Sequence, residues 1–200
     1  MLARGAVLPV AISFIPSLVV LFLSNLVFFP LIYLSGVLLI LPLFVLIFFR
    51  DPDREIGKGL VSPADGKVVY TDEKSFDIFM SVTDVHVNRT PAAGKIVETK
   101  SISGGYAPAY SEESKKNNRR EITIKTSKGK VKVTQIVGIF ARRIVPYVKE
   151  GDDVERGQKI GMIRFGSRVR VEFPSPEKVD ITVSVGDKVK AGETAVGVWR

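Results

Sequence analysis

The chain has 200 residues and a formal net charge of +8, with no Cys and a single His. That composition excludes disulfides, thiolate metal centres, cysteine nucleophiles and multi-histidine metal sites, so no metal is expected. The basic residues are not interleaved with stacking aromatics as in a single-strand nucleic-acid groove, so the positive charge points to anionic lipid and not to nucleic acid.

The first predicted element is an apolar run. No Asp, Glu, Lys, Arg or His lies between Arg4 and Arg50, whereas charges of both signs are interspersed beyond Arg50. Two parts are therefore predicted, a membrane-associated hydrophobic hairpin over residues 1–50 and a β domain over 51–200. The run is more than twice the ~20 residues one helix needs to cross a bilayer. It is also far longer than the apolar core of a secretory signal peptide. Two passes fit, Ala6–Leu23 and Leu26–Phe49, with Ser24-Asn25 as the turn between them. A soluble helical hairpin would carry a polar face, which this run lacks. Two passes return Arg4 and the Arg50, Arg54, Lys58 cluster to one side, and the positive-inside rule makes that side cytoplasmic. The expected location is the cell membrane, with the β domain on its cytoplasmic face.

From Leu60 onward the pattern is β. Lys67–Tyr70, Glu121–Lys125 and Lys130–Thr134 are rich in β-branched residues and mostly alternate, and Gly and Pro punctuate them at short intervals. Two internal echoes organise this part. Pro63-Ala64-Asp65-Gly66-Lys67-Val68-Val69 matches Pro91-Ala92-Ala93-Gly94-Lys95-Ile96-Val97. Gly151-Asp152-Asp153-Val154-Glu155-Arg156-Gly157 matches Gly186-Asp187-Lys188-Val189-Lys190-Ala191-Gly192. In each, a Gly is expected at a turn with positive φ, ahead of a strand. The echoes resemble the barrel-sandwich hybrid of biotinyl and lipoyl domains, a flattened β-sandwich with quasi-twofold symmetry. The fold class is mainly β, with an N-terminal hydrophobic helical hairpin. A carrier domain would present a Lys in a Met-Lys hairpin tip, and a membrane adaptor would add a long helical hairpin; neither is present. A non-catalytic binding module remains the alternative reading.

Three places carry candidate chemistry. Asp65 stands where its echo has Ala93, so turn formation alone does not account for it. The single His lies in Ser81-Val82-Thr83-Asp84-Val85-His86-Val87-Asn88-Arg89-Thr90-Pro91. Strand alternation there puts Asp84, His86 and Asn88 on one face, where His86 suits a general base near neutral pH. The third place is Ile163-Arg164-Phe165-Gly166-Ser167-Arg168-Val169, which on its own reads as two strands joined at a tight turn or bulge.

In order along the chain, Phe49-Arg50-Asp51-Pro52-Asp53-Arg54, Val61-Ser62-Pro63-Ala64-Asp65-Gly66-Lys67-Val68, the His86 segment, Ala141-Arg142-Arg143-Ile144 and Ile163–Val169 resemble the short form of phosphatidylserine decarboxylase. An archaeal relative, archaetidylserine decarboxylase, is similar. The resemblance implies a proenzyme that cuts itself between Gly166 and Ser167 into a large chain (1–166) and a small chain (167–200). Ser167 becomes a pyruvoyl cofactor that forms a Schiff base with a serine phospholipid and draws electrons from the departing carboxylate. Catalytic roles fall on Ser167, on His86 as base and proton donor, and on Asp65 as the group that orients His86. The lipid phosphate is expected on Arg89, Arg142, Arg143 or Arg168. The implied partners are the serine phospholipid, the membrane and the two chains as a heterodimer, with room for a higher homo-oligomer. Residues 104–120 are expected as a long loop, serving as a lid at the site or disordered. Arg170 departs from the family, where many bacterial relatives carry an acid.

Overall fold

The structure, a computed structural model, describes residues 1–26, 31–139, 143–164 and 167–200. The chain divides into two compact units, Met1–Asp53 and Arg54–Arg200.

The first unit is helical, with α1 (Val7–Leu26), α2 (Leu31–Leu38) and α3 (Ile40–Phe48). The turn expected at Ser24-Asn25 is absent, since α1 runs through both residues. Ser24 returns its hydroxyl to the Leu21 carbonyl at 2.7 Å, and a serine bonded in this way sits within a helix without ending it. The second pass is interrupted at Leu39. Pro42 has no N–H to offer the Leu38 carbonyl, and it falls instead in the first turn of α3, where no such bond is required. The buried Ser17 hydroxyl donates to the Ser35 carbonyl at 3.0 Å and links α1 to α2. Leu2 bridges to Arg50, and Ala3 N–H donates to Phe49 O at 2.7 Å, so Arg4 and Arg50 lie at one end. Val7–Ser24 and Leu31–Phe48 are each long and apolar enough to cross a membrane, and most of their residues are exposed.

The second unit is mainly β. Its strands begin with β1 (Leu60–Val61), β2 (Gly66–Thr71), β3 (Ser75–Met80), β4 (Val87–Arg89), β5 (Gly94–Ile102), β6 (Arg119–Lys125) and β7 (Lys130–Val137). There follow β8 (Ile144–Pro146), β9 (Asp153–Val154), β10 (Lys159–Ile163), β11 (Ser167–Glu172), β12 (Val179–Ile181), β13 (Lys188–Val189) and β14 (Ala195–Trp199). They form one eight-stranded sheet, β13-β2-β3-β11-β7-β6-β5-β9, and two three-stranded sheets, β4-β10-β8 and β1-β14-β12. A single apolar core draws on all three, including Ile78, Ile122 and Val169 from the large sheet, Ile160 and Ile163 from β10, and Leu60 and Val196.

The echoes are related in space. Gly66 faces Val189 across β2 and β13, and Gly94 faces Val154 across β5 and β9. Val68 exchanges backbone bonds with Asp187 and Gly186, both 2.9 Å, as Ile96 does with Asp152 and Gly151, both 2.9 Å. The halves also clasp each other: Val61 N–H donates to Pro91 O at 3.0 Å, and Arg89 N–H to Pro63 O at 2.9 Å. One glycine differs from expectation. Gly66 has φ 142°, but Gly94 is not among the glycines with positive φ. A Cβ at Gly94 would lie 2.4 Å from Lys125 O, so close approach of β6 requires glycine there, not turn geometry.

The strand expected over the His86 segment is shorter than the pattern indicated. Only Val87–Arg89 is extended, while Asp84 folds back to accept the Ser81 N–H at 2.7 Å and closes a turn. Both sides of this segment are buried, from Val85 through Pro91, so it does not divide into a polar and an apolar face.

Candidate active site

Ser167 opens β11, in the middle of the large sheet between β3 and β7, opposite Met80 and Val137. Directly opposed residues share a face of an antiparallel sheet, so Ser167 lies on the face that carries Ile78, Val169 and Val171 into the core. It is fully buried. Among the described residues its hydroxyl has one partner, the Met80 Sδ at 3.6 Å. The same sulfur receives the Asn88 amide at 3.5 Å, and Asn88 Oδ1 accepts from Gln135 Nε2 at 2.8 Å. A polar row thus crosses an otherwise apolar core and ends at the serine. A thioether is a weak acceptor, so the hydroxyl is held in place without a strong hydrogen bond.

His86 is fully buried in the turn ahead of β4. Its Nδ1 lies 2.9 Å from the Asp84 carbonyl. A carbonyl only accepts, so this bond assigns the proton of the neutral ring to Nδ1 and leaves the basic lone pair on Nε2. The His86 carbonyl in turn accepts from Ile163 N–H at 3.3 Å, four residues ahead of Ser167. The β4–β10 pairing and the β3–β11 pairing therefore draw the two segments toward one end of the core.

Asp65 is buried with different partners. Its Oδ1 accepts from Ala191 N–H at 2.8 Å, and its Oδ2 pairs with Arg54 Nη2 at 2.8 Å. Arg54 also reaches Glu193 at 3.4 Å. The bond that fixes the imidazole at Nδ1 thus comes from the Asp84 carbonyl, and the Asp65 carboxylate binds Arg54 and Ala191.

The arginines expected at a lipid phosphate fare differently. Arg168 is 1% exposed and pairs with Asp77 at 2.5 Å, with Ser111 O at 3.2 Å and Ser114 Oγ at 3.4 Å also in reach. Arg89 is buried and donates to the Gly157 carbonyl at 2.9 Å. Arg143 is exposed. Arg142 and Gly166 lie outside the described residues. Burial holds the Asp77 carboxyl above its ordinary range, a push that Arg168 and Arg170 offset only in part. Arg170 stands 3.7 Å from Asp77 and 3.2 Å from Ser75 Oγ, beside a carboxylate already inside the sheet.

The 104–120 segment packs over Arg168 through Ser111 and Ser114. Asn117 bonds both the N–H and the carbonyl of Ala107 and donates to Val137 O at 2.7 Å. Pro108, Ala109 and Tyr110 wall an apolar cavity of about 160 Å³ with Met80. A larger cleft of about 810 Å³, among the acids Asp72, Glu73 and Asp180, contains none of the candidate residues. Sequence reasoning missed Met80, Gln135, Asp77 and the pairing of Arg54 with Asp65. Asp77 had a signal, an acid in the apolar run Phe76-Asp77-Ile78-Phe79-Met80. Met80 had none.

The family model described as phosphatidylserine decarboxylase matches residues 70–197. A relative from Archaeoglobus fulgidus, named for archaetidylserine decarboxylase proenzyme, is 53% identical over 152 residues, 76% of this chain and 76% of that protein. A relative from Streptomyces avermitilis, named phosphatidylserine decarboxylase proenzyme, is 47% identical over 155 residues, 74% of this chain and 71% of that protein. Among solved structures, the glucose permease IIA from Mycoplasma capricolum aligns with a TM-score of 0.42 at 15% identity, over 70% of this chain and 92% of that one.

Proposed function

The chain belongs to the phosphatidylserine decarboxylase family and is a carboxy-lyase, and we propose that it acts through a pyruvoyl group made from its own Ser167. The substrate is a serine phospholipid, phosphatidylserine or archaetidylserine, and the product is the ethanolamine lipid. The observation that carries this reading is the Ser167 hydroxyl, sealed in an apolar core and bonded to a thioether.

In the proenzyme, His86 Nε2 takes the proton of Ser167 Oγ while the oxygen attacks the Gly166 carbonyl carbon. The Gly166–Ser167 amide becomes an ester. Loss of a Cα proton then breaks the Ser167 Cβ–O bond and frees a carboxylate at Gly166. Water converts the remaining dehydroalanine to a ketone with release of ammonia. The Nδ1 bond to Asp84 supports His86 in this role, because it presents Nε2 as a base in the neutral ring.

The site suits the resulting group. A methyl ketone at position 167 would meet the Met80 thioether and the apolar inner face of the sheet. When formed, that group supplies an electron sink for the carbon–carboxylate bond of the substrate. His86 then returns a proton to the substrate Cα, a step worth about 10²–10⁴-fold. Asp65 acts from farther back. It ties the large-chain residue Arg54 to the small-chain residue Ala191, and Arg54 in turn pairs with the small-chain Glu193.

The two pieces remain together as a heterodimer. Residues 167–200 include β11, whose neighbours β3 and β7 both belong to the large piece. So few residues cannot bury a core alone. The N-terminal helices anchor the enzyme in the cell membrane, and Arg4 and Arg50 at one end of that unit orient the rest of the chain to the cytoplasmic side. Decarboxylation of a serine lipid by purified protein tests the reading. The wild type is expected to release CO₂ and Ser167→Ala to release none. An active, uncut Ser167→Ala variant would overturn it.

A further inference from the structure

We infer that the substrate's phosphodiester is seated by Lys67 and Lys188, in the polar half of a two-part site whose apolar half lies beside Met80. This rests on the reading of the chain as a serine-lipid decarboxylase.

A cleft of about 760 Å³ is lined by Asp65, Lys67, Asp84, Lys188, Lys190 and Glu193, together with Phe79 and Ser81. Phe79 and Ser81 also line the apolar cavity of about 160 Å³ that includes Met80, so the two spaces meet there. Lys67 opposes Phe79 on the outer face of the large sheet and Ser167 opposes Met80 on its inner face, so cleft and cavity approach each other round the Met80–Ser81 end of β3. The Asp84 carbonyl holds the His86 ring, and the Met80 sulfur contacts Ser167. A polar cleft joined to an apolar cavity at the reacting residues matches an amphiphile's headgroup and the start of its hydrocarbon. Val82, Tyr110 and Ile139 at the cavity are exposed, which gives the hydrocarbon an apolar rim on which to leave.

The charges select the seat. The acids of the cleft are engaged: Asp65 with Arg54 and Ala191, Asp84 with the Ser81 N–H and hydroxyl, and Glu193 with Arg54 and Lys190. Lys67 and Lys188 are directly opposed across β2 and β13, and among the described residues neither has an ion-pair partner. Like charges so placed repel. The other half of the fold shows the neutral alternative, since Lys95 there faces Asp153 across β5 and β9. The same backbone therefore carries Lys opposite Asp at one end and Lys opposite Lys at the cleft that Asp65 and Asp84 line. A phosphodiester between Lys67 and Lys188 removes that repulsion and is held by charge-assisted hydrogen bonds from both. One lysine comes from the large piece and one from the small, so the seat is shared by the two chains.

The test uses full-length enzyme and a short-chain phosphatidylserine dispersed as monomers. In Lys67→Gln/Lys188→Gln, KM is expected to rise at least about tenfold, with kcat within about twofold of wild type. Both side chains are exposed, and chain cutting on a denaturing gel reports that the variant has folded. Lys67→Arg/Lys188→Arg is expected to keep KM within about threefold, and Lys95→Gln to leave it unchanged. An unchanged KM in the double Gln variant overturns the seat. So does a rise seen only with lipid in anionic vesicles, which would make the lysines a membrane-docking pair. If the wild type neither cuts itself nor decarboxylates, the failure lies instead with the decarboxylase reading.

Discussion

Lys67 faces Lys188 at one end of the large sheet, while at the matching place in the other half Lys95 faces Asp153. Asp65 is buried on Ala191 N–H and Arg54, while its counterpart Ala93 is exposed. Around these positions the backbone bonds of the halves agree, with Val68 paired to Asp187 as Ile96 is to Asp152. The shared pattern is what the sandwich needs in order to fold. The departures from it, Asp65 and the Lys67–Lys188 pair, line one cleft together with Asp84, whose carbonyl bonds the His86 ring.

Several substitutions test that contrast, beginning with the most severe. His86→Ala should slow chain cutting by about 10²–10⁴-fold, followed as band intensity over time on a denaturing gel. Cutting at the wild-type rate would remove His86 from the role of base. Asp77→Leu should cost about 3–5 kcal/mol in urea unfolding of the uncut Ser167→Ala background, because it strands the buried Arg168 without its carboxylate. A loss under 1 kcal/mol would show that the Arg168–Asp77 pair is dispensable to the sheet. Next come the echo positions themselves. Asp65→Ala removes the partner of the Ala191 N–H and one of the two carboxylates that Arg54 pairs with, and should cost about 1–3 kcal/mol. Ala93→Asp, on the exposed counterpart, should stay within about 0.5 kcal/mol of wild type. Equal effects at the two positions would erase the asymmetry.

The smallest effect concerns acid stability. Burial works to raise the Asp72 carboxyl, but bonds from the Lys74 and Ser75 N–H groups and the Tyr70 and Ser75 hydroxyls outweigh it and bring the pKa down to about 2. A carboxyl lowered on folding contributes stability that is complete above its ordinary pKa of about 3.9 and is lost as pH falls through about 2. Asp72→Asn should therefore flatten the acid limb of the stability–pH curve between those values, read by thermal melting. An unchanged limb would assign the acid sensitivity elsewhere.

Much of this was legible from local pattern. Alternation marked the cores of β2, β6 and β7, and the two echoes identified strands that meet in space though far apart in sequence. The uncharged N-terminal run marked the helical unit, although the serine at its centre was taken as a turn when helix geometry satisfies it internally. What stayed hidden depends on where a side chain turns and on partners brought up by the fold. Asp84 was assigned to a strand face because alternation cannot show that its carboxylate turns back on Ser81. Arg168 was expected at the lipid phosphate, and only the fold brings Asp77 against it. Asp65 stood out from its echo, but its partners Arg54 and Ala191 could not be read from the sequence. Gly94 looked like a turn glycine because its echo is one, whereas its need is space for the Lys125 carbonyl.

The most direct test of the central claim is the intact mass of purified protein under denaturing conditions. A small chain of 34 residues, Ser167–Arg200, is expected, with a ketone in place of its N-terminal amine. It should react with a hydrazide and be absent from Ser167→Ala. A single uncut chain in preparations that decarboxylate serine lipid would contradict it, as would a small chain that begins with an intact serine.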